Sequence, residues 1–236
     1  MQDGRPTLII GGTRGTGLLI AQLMLRKDIP VCVLGRSPQR AASRLPDPVD
    51  LVRADITRIE TLRHAIARAG HIIFTAGVPS GRPSTERRIK ATEYDGTLNV
   101  LQVARETGFS GRLMYMTASG GSTRSFASTF LNLYKGNTLL WRGRAESAIR
   151  SSGIDYTIIR TGILLNSQGG VRALHVTQSD LPLSTRYRIA RADVAEAFAA
   201  ALHHPQASRA TFDVVWKPGR RRETWDDLLS NLRPDS

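Results

Sequence analysis

Between residues 7 and 160, short apolar runs alternate with longer stretches of helical spacing, and that alternation leaves few folds open. The runs are residues 7–12 (TLIIGG), 30–35 (PVCVLG), 49–53, 71–74 (HIIF), 113–117 (LMYMT) and 155–160 (DYTIIR). Short, largely unbroken apolar runs suit strands buried on both faces, as the strands of parallel sheets are. The stretches between them predict helices over 18–26, 39–45, 58–68, 86–106 and 127–150. Thr57 is expected to cap the third, with Glu60 as its capping-box partner. Successive strand–helix–strand units cross over with a right hand and build a parallel sheet covered on both faces.

After Gly162 the pattern weakens. Short strands are predicted over 174–178 and 186–190, a helix over 193–203, a strand over 211–215 and a closing helix over 224–232. We therefore expect an α/β fold, a doubly wound parallel Rossmann sheet of six or seven strands, in a single domain over 1–236. Residues 1–160 would form its binding core and 161–236 a small substrate-side elaboration. The irregular segment 162–187 would cover the carboxyl ends of the strands, where such sheets bind ligands.

The residues between the first strand and first helix are Gly11, Gly12, Thr13, Arg14, Gly15, Thr16 and Gly17. Glycines there let the backbone turn tightly and approach a pyrophosphate. The helix end presents unpaired N–H groups and a partial positive charge to that anion. The spacing is G-x-x-x-G-x-G, and no G-K-[ST] follows, which argues against a triphosphate-binding loop. Dinucleotides are sorted by what ends the second strand, where an acidic residue marks NAD through its ribose hydroxyls. This strand ends Leu34-Gly35-Arg36-Ser37 with no carboxylate. Arg36 can make charge-assisted hydrogen bonds to a 2′-phosphate, with Ser37 beside it and Arg14 flanking, so NADP(H) is the expected cofactor.

The formal net charge of +13 raises nucleic acid as a partner. Yet the basic residues are nearly all arginine and scattered, with Arg220-Arg221-Arg222 the one run of three, and aromatics make up 6% of the chain. A solvated basic surface explains this pattern without a base-stacking platform. The single cysteine, Cys32, excludes an internal disulfide and a Cys-based zinc site. No His/Asp/Glu spacing suggests a metal, and no G-x-S-x-G elbow suggests a hydrolase. No apolar run is long enough to cross a membrane, and MQDGRPTLII predicts no signal peptide. The expected setting is the cytoplasm, as a monomer or homodimer with a small-molecule substrate and neither nucleic acid nor membrane as partner.

These motifs resemble the short-chain dehydrogenase/reductase superfamily, in its atypical NAD(P)-binding branch with flavin/biliverdin reductases and nitrogen-regulator-like sensors. GGTRGTG carries the likeness, with Arg53-Ala54-Asp55-Ile56, Phe74-Thr75-Ala76-Gly77 and residues 146–162 (ESAIRSSGIDYTIIRTG). Residues 189–195 (IARADVA) match a further block. The resemblance implies that Asp55 and Ile56 contact adenine and that Ala76 and Gly77 line the adenosine side. It adds Thr117, Thr161 and Gly162 to the cofactor set, with Thr161 in place of the family's proline. Read from the residues themselves, Asp55 can also cap the next helix, and Ala76-Gly77 can be an ordinary turn.

The superfamily's usual chemistry is hydride transfer with a Tyr acid, a Lys four residues later and a Ser after the fifth strand. Ser119 fits the Ser position, but the chain contains no Tyr-x-x-x-Lys. Alignment on Glu146 puts Thr138 and Arg142 in the Tyr and Lys positions. Three readings stand. Tyr134 acts as the acid from a shifted register beside Ser119; the acceptor needs no protein acid, being a flavin, quinone, enone or iminium; or the protein binds NADP(H) without redox chemistry, as a sensor or scaffold. Arg172 and His175, within 166–178, are the candidate substrate contacts, although a lone His on an apolar strand is commonly structural.

Overall fold

In the computed structural model, residues 4–46, 49–78, 84–120 and 137–235 are described. Seven parallel strands form the sheet: β1 (Thr7–Ile10), β2 (Val31–Gly35), β3 (Asp50–Arg53), β4 (His71–Phe74), β5 (Leu113–Ala118), β6 (Tyr156–Thr161) and β10 (Ala210–Arg220). An eighth strand, β8 (Arg172–Thr177), closes one edge antiparallel to β10. The order β3-β2-β1-β4-β5-β6-β10-β8 places the switch of direction between β1 and β4. A small parallel pair, β7 (Ile163–Leu165) and β9 (Arg188–Ala190), stands beside it.

Alternation along β1 shows how the two faces are fed. Ile9 joins one core with Leu18, Ala21 and Met24 of α1 (Gly15–Leu25) and with Val194 and Phe198 of α7 (Arg191–Ala201). Leu8 and Ile10 join the other, with Ile66 of α3 (Arg63–Ala67), Val100 and Ala104 of α5 (Gly96–Glu106), and Ala145 and Ile149 of α6 (Thr138–Arg150). Successive strand residues pointing to opposite faces feed the two sides of this doubly wound core.

Residues after 161 do more than elaborate a substrate side. They supply β10, the edge strand β8, and α7, which packs with α1 under the sheet. Local elements also differ from their sequence forms. The expected 58–68 helix is a 3₁₀ turn (Ile59–Thr61) followed by α3. Thr57 does not cap it, because its N–H and hydroxyl both donate to Asp55 Oδ1. A capping box occurs instead at Thr224 and Asp227, opening α8 (Trp225–Leu229). The expected 86–106 helix contains a π turn (Lys90–Asp95) between α4 (Glu86–Ile89) and α5. Of the expected 127–150 helix, Thr138–Arg150 is observed as α6; residues 127–136 lie outside the described residues. A four-residue α2 (Gln39–Ala42) completes the set.

Candidate cofactor and active site

The glycine loop joins β1 to α1 at the switch point. Gly11 has φ +91°, and a Cβ there would sit 2.7 Å from the Ala76 nitrogen. A Cβ on Gly17 would lie 2.5 Å from the Gly11 carbonyl oxygen and against the Thr75 hydroxyl. These two positions exclude side chains because the loop folds onto itself and onto the end of β4, where Thr75 N–H donates to the Ile10 carbonyl. A Cβ on Gly15, at φ +57°, would meet no backbone and only Arg191 Nη1, at 3.9 Å. The result is an open cradle at the amino end of an eleven-residue helix with no side-chain cap. Its free N–H groups and dipole fit a pyrophosphate.

Thr13 packs its methyl group onto Gly35 at the end of β2, and its carbonyl accepts from Arg44 Nη2 at 2.9 Å. Arg36 and Ser37 follow, exposed. Among the described residues Arg36 pairs with no carboxylate, and neither does exposed Arg14. Arg53, the register partner of Gly35, brings a further cation to the same corner. Asp55 Oδ1 is occupied by Thr57, so part of its carboxylate serves the local turn, while Ile56 is buried beneath it.

Gly77 leads to the most connected buried charge of the site. Glu93, 2% exposed, is carried inward on the π turn. Its Oε2 accepts from Arg142 Nε at 2.9 Å and from Thr138 Oγ1 at 2.7 Å. Its Oε1 accepts from Arg142 Nη2 at 3.0 Å and the Val78 N–H at 3.2 Å. A Cβ on Gly77 would find Arg142 Nη2 at 3.3 Å and Glu93 Oε1 at 3.4 Å. Burial pushes the Glu93 pKa up, but the bidentate guanidinium and the hydroxyl and amide donors outweigh it and hold the carboxyl below its ordinary range. Arg142 is raised in turn, its burial outweighed by Glu93. Both residues aligned with the Tyr and Lys positions are therefore spent on one ionised carboxylate.

Ser119 follows β5, 1% exposed, with its N–H donating to the Thr161 carbonyl. Its hydroxyl lies beside the fully buried carboxyl of Asp213, close enough to temper that group, yet neither Ser119 Oγ nor Asp213 Oδ1 completes a hydrogen bond of good geometry. Burial raises the Asp213 pKa. Thr117 is buried, and the Thr161 hydroxyl donates to the Thr117 carbonyl at 3.2 Å. Gly162 passes tightly against the Tyr187 backbone. Tyr134 lies outside the described residues.

The structure places Arg172 and His175 on the far side of β10 from the glycine cradle. Both lie on edge strand β8, five strands from β1 and three from β5, which leads to Ser119. Arg172 stacks on the Trp216 ring, 4.9 Å from its centroid, and His175 is exposed. The apolar pattern at 174–178 belongs to a strand that completes the sheet, antiparallel to β10. Conversely, Glu93 carried no functional signal in the sequence, and Arg191 stood only within the 189–195 block without a role of its own. Arg191 opens α7 and reaches Thr16 in the glycine loop at 3.3 Å. Among the described residues no cluster of three or more His, Cys, Asp or Glu could hold a metal, and no helix is long and apolar enough to cross a membrane.

Comparison with known proteins bears on this geometry. The chain is 37% identical to sanguinarine reductase of Eschscholzia californica over 127 residues, 53% of this chain and 45% of that protein. It therefore spans less than half of that relative. It is 26% identical to an uncharacterized chloroplastic protein of Arabidopsis thaliana over 239 residues, 97% of this chain and 83% of the other. Among solved structures it shares its fold with an anaerobilin reductase from Escherichia coli O157:H7 (TM-score 0.71, 21% identity, 92% and 100% of the two chains). It likewise resembles a Veillonella parvula short-chain dehydrogenase/reductase in complex with NADP (TM-score 0.68, 17% identity, 92% and 97%). Residues 11–205, from the first glycine of the cradle to just past the end of α7, match the NAD(P)H-binding family, so the chain belongs to that family.

Proposed function

We propose that this protein is an NADP(H)-dependent oxidoreductase that passes a hydride to or from a small, flat organic molecule without a Tyr–Lys pair. The observation that carries this reading is the Glu93–Thr138–Arg142 cluster beside Gly77. Arg142 stays charged and Glu93 stays ionised, so neither donates a proton near neutral pH. Thr138 lacks an acidic phenol and gives its hydrogen to Glu93.

The residues that would hold the dinucleotide are the Gly11–Gly17 loop for the pyrophosphate, Arg36 with Ser37 for the 2′-phosphate, and Ile56 with Ala76 for the adenine side. Bound there, the nicotinamide supplies or accepts one hydride. Arg36 favours NADP(H) because no carboxylate neutralises it among the described residues and none ends β2 to bind free ribose hydroxyls. Acceptors that suit such a site finish their reduction without a protein acid. An iminium needs the hydride alone, whereas a quinone, flavin or enone then takes its proton from water. The similarity to a reductase over half the chain supports the same class.

The test is consumption of NADPH, followed by nicotinamide absorbance, over a panel of iminium ions, quinones, flavins and enones. Turnover of at least one class supports the reading. Tight NADPH binding with no turnover across the panel would overturn it in favour of a sensor or scaffold.

A further inference from the structure

Arg191 is the residue whose surroundings make least sense for an empty protein. Its Nε donates to Asn166 Oδ1 at 2.9 Å and its Nη1 to Thr16 Oγ1 at 3.3 Å. Both partners are neutral. The other arginines removed from full exposure each face a carboxylate: Arg112 meets Asp155, Arg142 meets Glu93, Arg150 and Arg160 meet Glu146, and Arg221 meets Glu196. Among the described residues Arg191 has no such counter-charge, although it is only partly exposed and burial lowers its pKa.

Its position compounds the cost. Thr16 is the second residue of α1, so the guanidinium lies at the positive end of that helix dipole. Arg191 is also the first residue of α7 and stands at that helix's positive end as well. A cation is disfavoured at either place. Between the two lies the open face of the glycine loop, where a Cβ built on Gly15 would have Arg191 Nη1, 3.9 Å away, as its one neighbour within 4 Å. The placement is held deliberately. Asn166 orients the guanidinium without neutralising it, and the segment carrying Asn166 is pinned to α7 by Asp193, whose Oδ1 accepts from the Gly170 N–H at 2.6 Å. Two helix ends and one unpaired cation thus converge on a gap that an anion would stabilise.

We propose that Arg191 is a phosphate-binding residue that grips the pyrophosphate of the bound dinucleotide from the α7 side, opposite the glycine loop. This rests on the dinucleotide site proposed above and adds to it a residue some 175 positions from the loop. The β-strand pair β7–β9 and the 166–170 segment then have a common purpose, which is to carry Asn166 and Arg191 to the loop.

The test is calorimetric titration of wild type, Arg191→Ala and Arg191→Gln with NADP⁺, inorganic pyrophosphate and adenosine 2′-monophosphate, together with melting of the unliganded proteins. A charge-assisted hydrogen bond predicts that both variants lose roughly ten- to hundredfold in affinity for NADP⁺ and for pyrophosphate. Adenosine 2′-monophosphate, which has no pyrophosphate, should bind all three within about twofold. The unliganded variants should melt no lower than wild type, because an uncompensated charge has been removed. Wild-type affinity for NADP⁺ in both variants would overturn the role of Arg191 alone. Equal loss of adenosine 2′-monophosphate, or failure of both variants to fold, would show Arg191 to be structural. A wild type that binds no dinucleotide would overturn the site itself.

Discussion

Replacing Arg142 by alanine isolates the buried charge of Glu93 and reverses its effect on stability with pH. In the wild type, Glu93 has a pKa below its ordinary value near 4.5, so it contributes stability that is present above pH 4.5 and lost as pH falls through the folded pKa. Without Arg142, the carboxylate keeps Thr138 and the Val78 N–H but loses its two strongest donors, and burial then dominates. The folded pKa should rise above 4.5, and stability should then fall as pH rises through it. Removing one partner of a buried pair costs ~3–5 kcal/mol. The two remaining donors favour the lower end, about 3 kcal/mol, or roughly 6–12 °C in melting temperature for a domain of this size. Differential scanning fluorimetry from about pH 5 to pH 8 reads this directly, with a penalty larger at pH 8 by at least about 1 kcal/mol. Adding Glu93→Gln removes the stranded charge, so the double variant should recover part of the loss at pH 8. A double variant no more stable than Arg142→Ala, or a single variant with the wild-type pH slope, would refute the reasoning.

Three further outcomes are expected. NADPH should bind more tightly than NADH, and Arg36→Ala should remove most of the difference, roughly ten- to hundredfold by calorimetry; equal wild-type affinities would count against the 2′-phosphate role. Tyr134→Phe should keep turnover within about tenfold of wild type, because a general acid contributes ~10²–10⁴-fold and no lysine stands four residues on; a thousandfold loss with NADPH binding intact would restore Tyr134 as the acid. Asp213→Asn should gain stability relative to wild type as pH rises from about 4 to about 8, since a buried acid with a raised folded pKa stabilises when protonated and loses that contribution on ionising; parallel stability curves would show that Asp213 does not titrate there.

The parallel sheet and the cradle are legible in the residue order alone. Buried parallel strands must be apolar nearly throughout, so β1, β2, β4, β5 and β6 announce themselves within a residue or two of their observed ends. The loop is legible for a related reason. Gly11 needs a positive φ and Gly17 a backbone contact that excludes a Cβ, and both demands are met by residue type within seven positions. Arg36 is equally local, since it stands at the end of the strand that borders the loop.

Relations between residues far apart in the chain emerge only once it is folded. The apolar pattern of β8 does not say which strand it pairs with, and only its place beside β10 puts Arg172 and His175 at the sheet edge. Glu93 reads as one more acidic residue on a helix until the π turn points it inward at Arg142, 49 residues away. Arg191 lies in the 189–195 block that carries the family likeness, but neither hydropathy nor spacing gives it a role there. Its meaning comes from being placed beside Thr16 with neutral partners alone, and the energy of a charge depends on what surrounds it in space rather than on its neighbours along the chain.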